Sequence, residues 1–275
     1  MIYNIVCHIL IYLIYQYPLP DPTEVSDAIW TEVKTAIKDL LAGDDKDKNG
    51  GLLLRLGWQC MSTYRDTDHL GGCNGARILF SPGKDWEVNQ GLDAAIELLE
   101  QIKTDHSEVS MADLIILSST IALGDLAGIE NMEETFCPGR VDDTSGEAWQ
   151  FLKPRVTGKE GESLLLIKDY FEVMSLSERE FVAMAEVGNK YGDMSENCMG
   201  IFCKCVALVC IIMRIHCNCR DKSNSVMRAI SEDDQLSGIK ESYESSEELN
   251  KVAKSTWKKM ANFDRFDGPK KKICS

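Results

Sequence analysis

Ser110-Met111-Ala112-Asp113-Leu114-Ile115-Ile116-Leu117-Ser118-Ser119-Thr120-Ile121-Ala122-Leu123 carries the strongest helix signal in the chain. It opens on a serine followed three residues later by an acid, the spacing of a capping box, and the run behind it is apolar almost all round. A helix with no polar face has to be enclosed by other elements, so this one is expected at the buried centre of a helical body.

The segments on either side repeat the helical period. Ile29, Trp30, Val33, Ile37, Leu40 and Leu41 share one face, with Glu24 and Asp27 at the positive end, before Gly43-Asp44-Asp45 breaks the pattern. The polar run 44–51 reads as a loop, and the apolar stretch 52–61 leads into a turn at Gly71-Gly72. Another amphipathic segment passes through Leu92, Ala95, Ile96, Leu99 and Ile102. Ser175-Leu176-Ser177-Glu178 reads as a second capping box, opening a helix over 178–187. Ser245-Ser246-Glu247-Glu248 opens a last helix with Leu249, Val252, Trp257 and Met260 on one face. Seven or so helices with no alternating strand and no fixed-period repeat predict an all-α domain.

Composition narrows the function. The 275 residues carry 30 Lys+Arg against 44 Asp+Glu, a net charge of −14, and 44% are apolar, enough for a buried core. Nucleic acid is excluded as a partner, because phosphate binding needs a positive surface and the basic clusters are confined to 214–220 and the tail Lys270-Lys271-Lys272. Eleven cysteines leave at least one unpaired, and their irregular spacing points to a reducing, cytoplasmic compartment. Cys274 stands too near the end for a prenylation box.

Two segments differ from the rest. Residues 1–17 are uncharged and rich in Ile, Leu and Tyr, which leaves a signal or anchor open beside a core-packed segment or a doubtful translation start. A basic flank and a small-residue cleavage site are missing, and as a helix the segment would span about 26 Å, short of the ~30 Å hydrocarbon core. The second is 193–222, where Cys198, Cys203, Cys205, Cys210, Cys217 and Cys219 cluster around the apolar run 201–217. Its composition marks an insertion or a segment of different origin, and Lys204 and Arg214 oppose a membrane span there. Cys203-x-Cys205 and His216-Cys217-x-Cys219 would offer zinc thiolate and imidazole, but at a spacing tighter than usual and without turn-forming residues between. Packing is the expected role of the segment. His69 and His106 sit in polar turns and are expected to be solvated.

A set of local sequences resembles one family. Arg55-Leu56-Gly57-Trp58-Gln59, Ser62-Thr63-Tyr64-Arg65, Gly71-Gly72-Cys73-Asn74-Gly75-Ala76-Arg77-Ile78 and Lys84-Asp85-Trp86-Glu87-Val88-Asn89 resemble the haem catalase-peroxidases. So do Pro138-Gly139-Arg140-Val141-Asp142-Asp143-Thr144, Ser223-Asn224-Ser225-Val226-Met227-Arg228-Ala229-Ile230 and the closing Asn262-Phe263-Asp264-Arg265-Phe266-Asp267. With 17–192 and 223–267 counted, about 221 of 275 residues are covered. The resemblance implies a haem-peroxidase-like helical domain over 17–267, with 1–16 as an apolar leader outside it and 268–275 as a basic tail. In that family two homologous halves share one chain, and only the N-terminal half carries haem. Asn74 to Ile78, Lys84 to Asn89 and the closing segment look like the haem-free C-terminal half, and Tyr17-Pro18-Leu19-Pro20-Asp21-Pro22 resembles its start.

A haem peroxidase needs an imidazole below the iron, a distal base to move a proton between peroxide oxygens, and a fixed cation to stabilise charge as the O–O bond breaks. The family's distal motif Arg-x-x-Trp-His reads Arg55-x-x-Trp58-Gln59 here, and the amide of Gln59 does not titrate in the working range. With haem present, losing the base would slow the reaction by about 10²–10⁴. The segment matching the axial helix, Phe181-Val182-Ala183-Met184-Ala185-Glu186-Val187-Gly188-Asn189-Lys190-Tyr191-Gly192, contains no histidine. Neither the carboxylate that orients the axial imidazole nor the loop tyrosine of the family's crosslinked triad has a counterpart. His216, the candidate left by distance along the chain, has neighbours unlike the axial helix. The expected function is therefore a degenerate distal site (Arg55, Trp58, Gln59) in a domain that does not itself bind haem. It would support a haem-bearing half, or a second copy, in hydrogen peroxide breakdown and the oxidative-stress response. The alternative is an active haem peroxidase using Arg55, Trp58 and His216.

Overall fold

The computed structural model describes residues 22–157, 162–191, 225–243 and 245–265. Among them are nine α-helices: α1 (Asp27–Leu40), α2 (Lys46–Met61), α3 (Asp93–Asp105), α4 (Met111–Ala127), α5 (Leu164–Val173), α6 (Glu178–Tyr191), α7 (Ser225–Glu232), α8 (Asp234–Glu241) and α9 (Ser246–Ala261). Isolated bridges, Arg65 with Leu70 and Gly75 with Asp142, take the place of strands in the described residues, so the all-α expectation stands. No described helix is long and apolar enough to cross a membrane.

Helix α4 is the centre. Every residue from Met111 to Leu123 is buried, as a helix without a polar face requires. Helices α1, α2 and α3 enclose it on one side, while α9 reaches it from the other and carries α6, with α7 and α8 behind. The buried polar groups of α4 are engaged: Trp257 Nε1 donates to Thr120 Oγ1 (2.9 Å), and Ser118, Ser119 and Thr120 donate to carbonyls of the preceding turn.

The seam with α2 is the tightest. A Cβ on Gly57 would lie 2.1 Å from Ser119 Oγ, so only glycine lets the two backbones approach this closely. The same seam explains where the run 44–51 departs from its reading as a loop. From Lys46 onward it is the start of α2, with Gly50 and Gly51 buried and Gly50 facing Leu126. Two glycines weaken an isolated helix, but contact with α4 overrides local propensity.

Two capping expectations change in detail. Ser110 caps α4 through Asp113 N–H (3.0 Å), yet the Asp113 carboxylate turns away from the serine. It accepts from Gly139 N (2.7 Å), Arg140 N (3.1 Å) and Arg140 Nη1 (2.9 Å). The box at α6 is Ser177 with Glu180, two residues later than expected: Ser177 N donates to Glu180 Oε2 (2.8 Å), and Glu180 N donates to Ser177 Oγ (3.3 Å). The Ser245 cap of α9 forms as expected, accepting from Glu248 N (3.2 Å).

The described cysteines add a crosslink that the spacing did not specify. Cys60, near the end of α2, and Cys73, in the turn after it, form a disulfide with Cα atoms 4.9 Å apart, and Cys137 is disulfide-bonded as well.

Arg140 is fully enclosed and Asp113 nearly so, and removing one partner of such a pair leaves a buried charge unmatched. Arg140→Met is therefore expected to cost about 3–5 kcal/mol in urea denaturation; a loss under 1 kcal/mol would show that the pair is not structural. A second expectation concerns pH. Burial alone would raise the Glu180 carboxyl, but the Ser177 backbone N–H and the Lys259 ammonium (3.0 Å) outweigh it and hold it below the usual range. A lowered folded value contributes stability above the unfolded pKa and loses it as pH falls through the folded one. Glu180→Gln should remove about 1 kcal/mol at neutral pH and flatten the loss of stability below about pH 4.5, read as denaturation midpoints across pH.

Candidate functional site

Arg55, Trp58 and Gln59 lie on one half-buried face of α2, as the i, i+3, i+4 spacing dictates. The Arg55 guanidinium is engaged at its tip: Nη2 donates to the carbonyls of Val88 (2.7 Å) and Gln90 (3.0 Å), pinning the loop after the short 3₁₀ turn Glu87–Asn89. These two bonds give Arg55 a structural task, the holding of backbone carbonyls.

Trp58 meets Phe171 of α5, ring centroids 6.2 Å apart and planes tilted by 42°. Phe171 in turn stacks on Phe181 of α6 at 4.1 Å. Phe181 is the first residue of the segment that resembles the axial helix. A continuous aromatic column thus runs from the distal-motif tryptophan to that helix, and each pair in it gains from offset ring contact as well as burial. Beside it, Tyr170 Oη donates to the Ser62 carbonyl (2.9 Å), and burial pushes the phenol up to about 12, so it remains a protonated donor. The column fixes α5 between the end of α2 and the start of α6.

Along α6 the buried positions are Phe181, Val182, Ala183, Met184 and Val187, which offer no imidazole or thiolate. Glu186 is paired with Lys240 Nζ (2.7 Å). The loop after Pro138 is equally committed. Asp142 accepts from Met111 N (2.8 Å) and Ala112 N (2.9 Å) at the start of α4, and Asp143 pairs with Arg77 Nε (2.8 Å).

Of the two described histidines, His69 is exposed as expected and His106 departs from the solvated reading. His69, at φ +58°, places Nδ1 3.0 Å from the hydroxyl of buried Tyr64, which also donates to Asp66 (3.1 Å). The His106 side chain is largely buried at the end of α3 and lies 4.0 Å from Glu32. Among the described residues no group of three or more His, Cys, Asp or Glu is placed to hold a metal ion. His216 and the candidate zinc residues Cys203, Cys205, Cys217 and Cys219 lie outside the described residues.

Phe171 is the residue that sequence reasoning missed. A phenylalanine beside a tyrosine on an apolar helix reads as ordinary core, and nothing local marks it as the link between α2 and α6.

A sequence model of the family described as peroxidase matches residues 29–191. The chain is 28% identical to a catalase-peroxidase of Shigella flexneri over 93% of its own length and 40% of that protein's. It is 37% identical to catalase-peroxidase 1 of Haloarcula marismortui and 36% identical to the catalase-peroxidase of Salinibacter ruber, each over 53% of this chain and 22% of the relative. It therefore spans about two-fifths of the length of the Shigella relative. A helical body centred on α4, the Arg55-x-x-Trp58 face and these matches together place the chain in the peroxidase family, in its catalase-peroxidase branch.

Proposed function

We propose that this chain is a haem-free, non-catalytic half of a catalase-peroxidase-type assembly that removes hydrogen peroxide under oxidative stress. Its part in that assembly is to pack against a haem-bearing half or a second copy and keep that half's helices in register. The observation that carries this reading is the column Trp58, Phe171, Phe181, which puts the Phe171 ring between the distal-motif helix and the first residue of the segment resembling the axial helix.

The chemistry points the same way. A neutral imidazole or a thiolate is the usual protein ligand for haem iron in enzymes that handle peroxide, and the described part of α6 supplies neither. Glutamine cannot act as the distal base, and Arg55 already donates to two carbonyls. The described residues therefore do not fit a haem, and no catalytic step is assigned to them. What the arrangement does offer is rigidity: α2, α5 and α6 are clamped by rings and by the Tyr170 hydroxyl, which suits a docking body more than a site that must admit substrate.

Titrating the full chain with hemin tests the first half of this reading. Expected is no stoichiometric Soret band beyond that of hemin bound nonspecifically. A one-to-one band that collapses in His216→Ala, with peroxide turnover that falls about 10²-fold or more in Arg55→Leu, would establish the active peroxidase instead. Under the proposal Arg55→Leu lowers stability by about 1.5–3 kcal/mol, the range for hydrogen bonds from a charged group, and has no turnover to change. The native mass tests the second half. A product far above 30.8 kDa, as a longer polypeptide or a complex, is expected, and a stable 30.8 kDa monomer would refute the supporting role.

A further inference from the structure

The turn at residues 71–75 is tied to three distant parts of the fold. Thr63 Oγ1 accepts from Gly72 N (3.1 Å), Asp264 Oδ2 from Asn74 N (2.6 Å) and the Val141 carbonyl from Gly75 N (2.8 Å). Its backbone has little freedom. Gly71 and Gly72 stand at φ +86° and +82°, and a Cβ on them would come within 2.2 Å of the Thr63 carbonyl and 2.7 Å of Asp264 Cβ. Cys73 lies inside this turn, and Cys60 lies one residue after Gln59 on the last turn of α2. Both are almost wholly excluded from solvent, at 1% and 0% exposure.

We infer that the Cys60–Cys73 disulfide is a covalent lock between the distal-motif helix and this turn, formed as the domain folds, and that the chain therefore matures in an oxidising compartment. The placement carries the argument. Backbone N–H groups hold the turn to Thr63 just after α2, to Asp264 and to Val141, and the turn places the Cys73 Cα 4.9 Å from that of Cys60 with both side chains buried, within the separation a disulfide spans. Under this inference the compartment is oxidising, where cysteine spacing alone points to a reducing one.

The chemistry is ordinary exchange with a donor disulfide, protein or low-molecular-weight. One cysteine thiolate attacks the donor S–S bond, forming a mixed disulfide and releasing one donor thiolate. The second cysteine thiolate then attacks the first cysteine's sulfur and releases the other. Two cysteine thiols are oxidised, one donor disulfide is reduced to two thiols, and the two cysteine protons end on those thiols. Once the bond forms, burial shields it, and a reductant reaches it only through local opening.

The full chain is made in an oxidising and in a reducing expression host, and each product is denatured and alkylated with iodoacetamide without prior reduction. From the oxidising host, Cys60 and Cys73 should appear in one linked peptide, still present in Cys137→Ala. The product with both thiols free should melt about 6–12 °C lower, the shift for a loop of this length in a domain of this size. That gap should vanish in the Cys60→Ala/Cys73→Ala variant. Carbamidomethyl groups on both cysteines of the oxidising-host product would overturn the inference, as would equal melting temperatures of the two wild-type products. The peptide map needs only the wild-type chain, so it decides the matter even where the variant does not fold.

Discussion

Arg140 holds together parts of the chain that are distant in sequence, and the remaining architecture follows from where it sits. Its Nη1 donates to Asp113 Oδ1 (2.9 Å) and to the Cys137 carbonyl (2.7 Å), its Nη2 donates to the Ala261 carbonyl, and its Nε lies 3.5 Å from Asp264 Oδ1. One side chain thus joins the start of α4, the loop after it and the end of α9. Burial pushes the Asp113 carboxyl up, against the opposing pull of this guanidinium and two backbone N–H groups. A buried charge network is weak as a source of net stability but strict about geometry, because any partner left unmatched is costly. Arg265 extends it, donating to the Gly139 (2.8 Å) and Pro138 (2.8 Å) carbonyls. Asp264 carries it on to the turn at 71–75 through Asn74 N–H.

That network gives structural work to the segments that resemble catalase-peroxidases. Arg140, Asp142, Asp143, Asp264 and Arg265 belong to the segments that resemble catalase-peroxidases, and each has a structural task here: an ion pair, a helix start or a carbonyl clamp. Under the proposed function Gln59 and the α6 segment stand where the family's chemistry needs histidine, and among the described residues the packing of α2 and α6 uses none at either. The requirements for folding and for catalysis lie on different residues of the same helices, so one set changes without the other.

The helical body was legible where the signal is one-dimensional. Helix α4 announces itself because a helix with no polar side has one physical destination, and α1 and α9 because their apolar residues share a face. What the sequence concealed is what depends on partners far along the chain. The start of α2 is hidden by Gly50 and Gly51, poor helix formers that become favourable only against Leu126 and α4. The second role of Asp113 is hidden because its position in a capping box suffices as an explanation. The pairing of Cys60 with Cys73 is hidden because connectivity among eleven cysteines cannot be derived from spacing. At the site, Arg55, Trp58 and Gln59 were found by motif, but the destination of the guanidinium and the ring behind Trp58 are facts of packing.

Under the proposed function, the Phe171 column also bears on why restoring single residues is a poor route back to catalysis. Replacing Gln59 by histidine would supply a group of suitable pKa at the right place along α2. Arg55 would remain committed to the Val88 and Gln90 carbonyls, and Phe171 would still sit between Trp58 and Phe181. Removing Phe171 to open the column exacts the cost of emptying a buried aromatic site, about 3–5 kcal/mol, in a fold whose whole margin is typically 5–15 kcal/mol. Under the proposed function, loss of a catalytic histidine is a single step that the ring packing of α2, α5 and α6 makes expensive to reverse, because Trp58, Phe171 and Phe181 now contribute to the stability of the body.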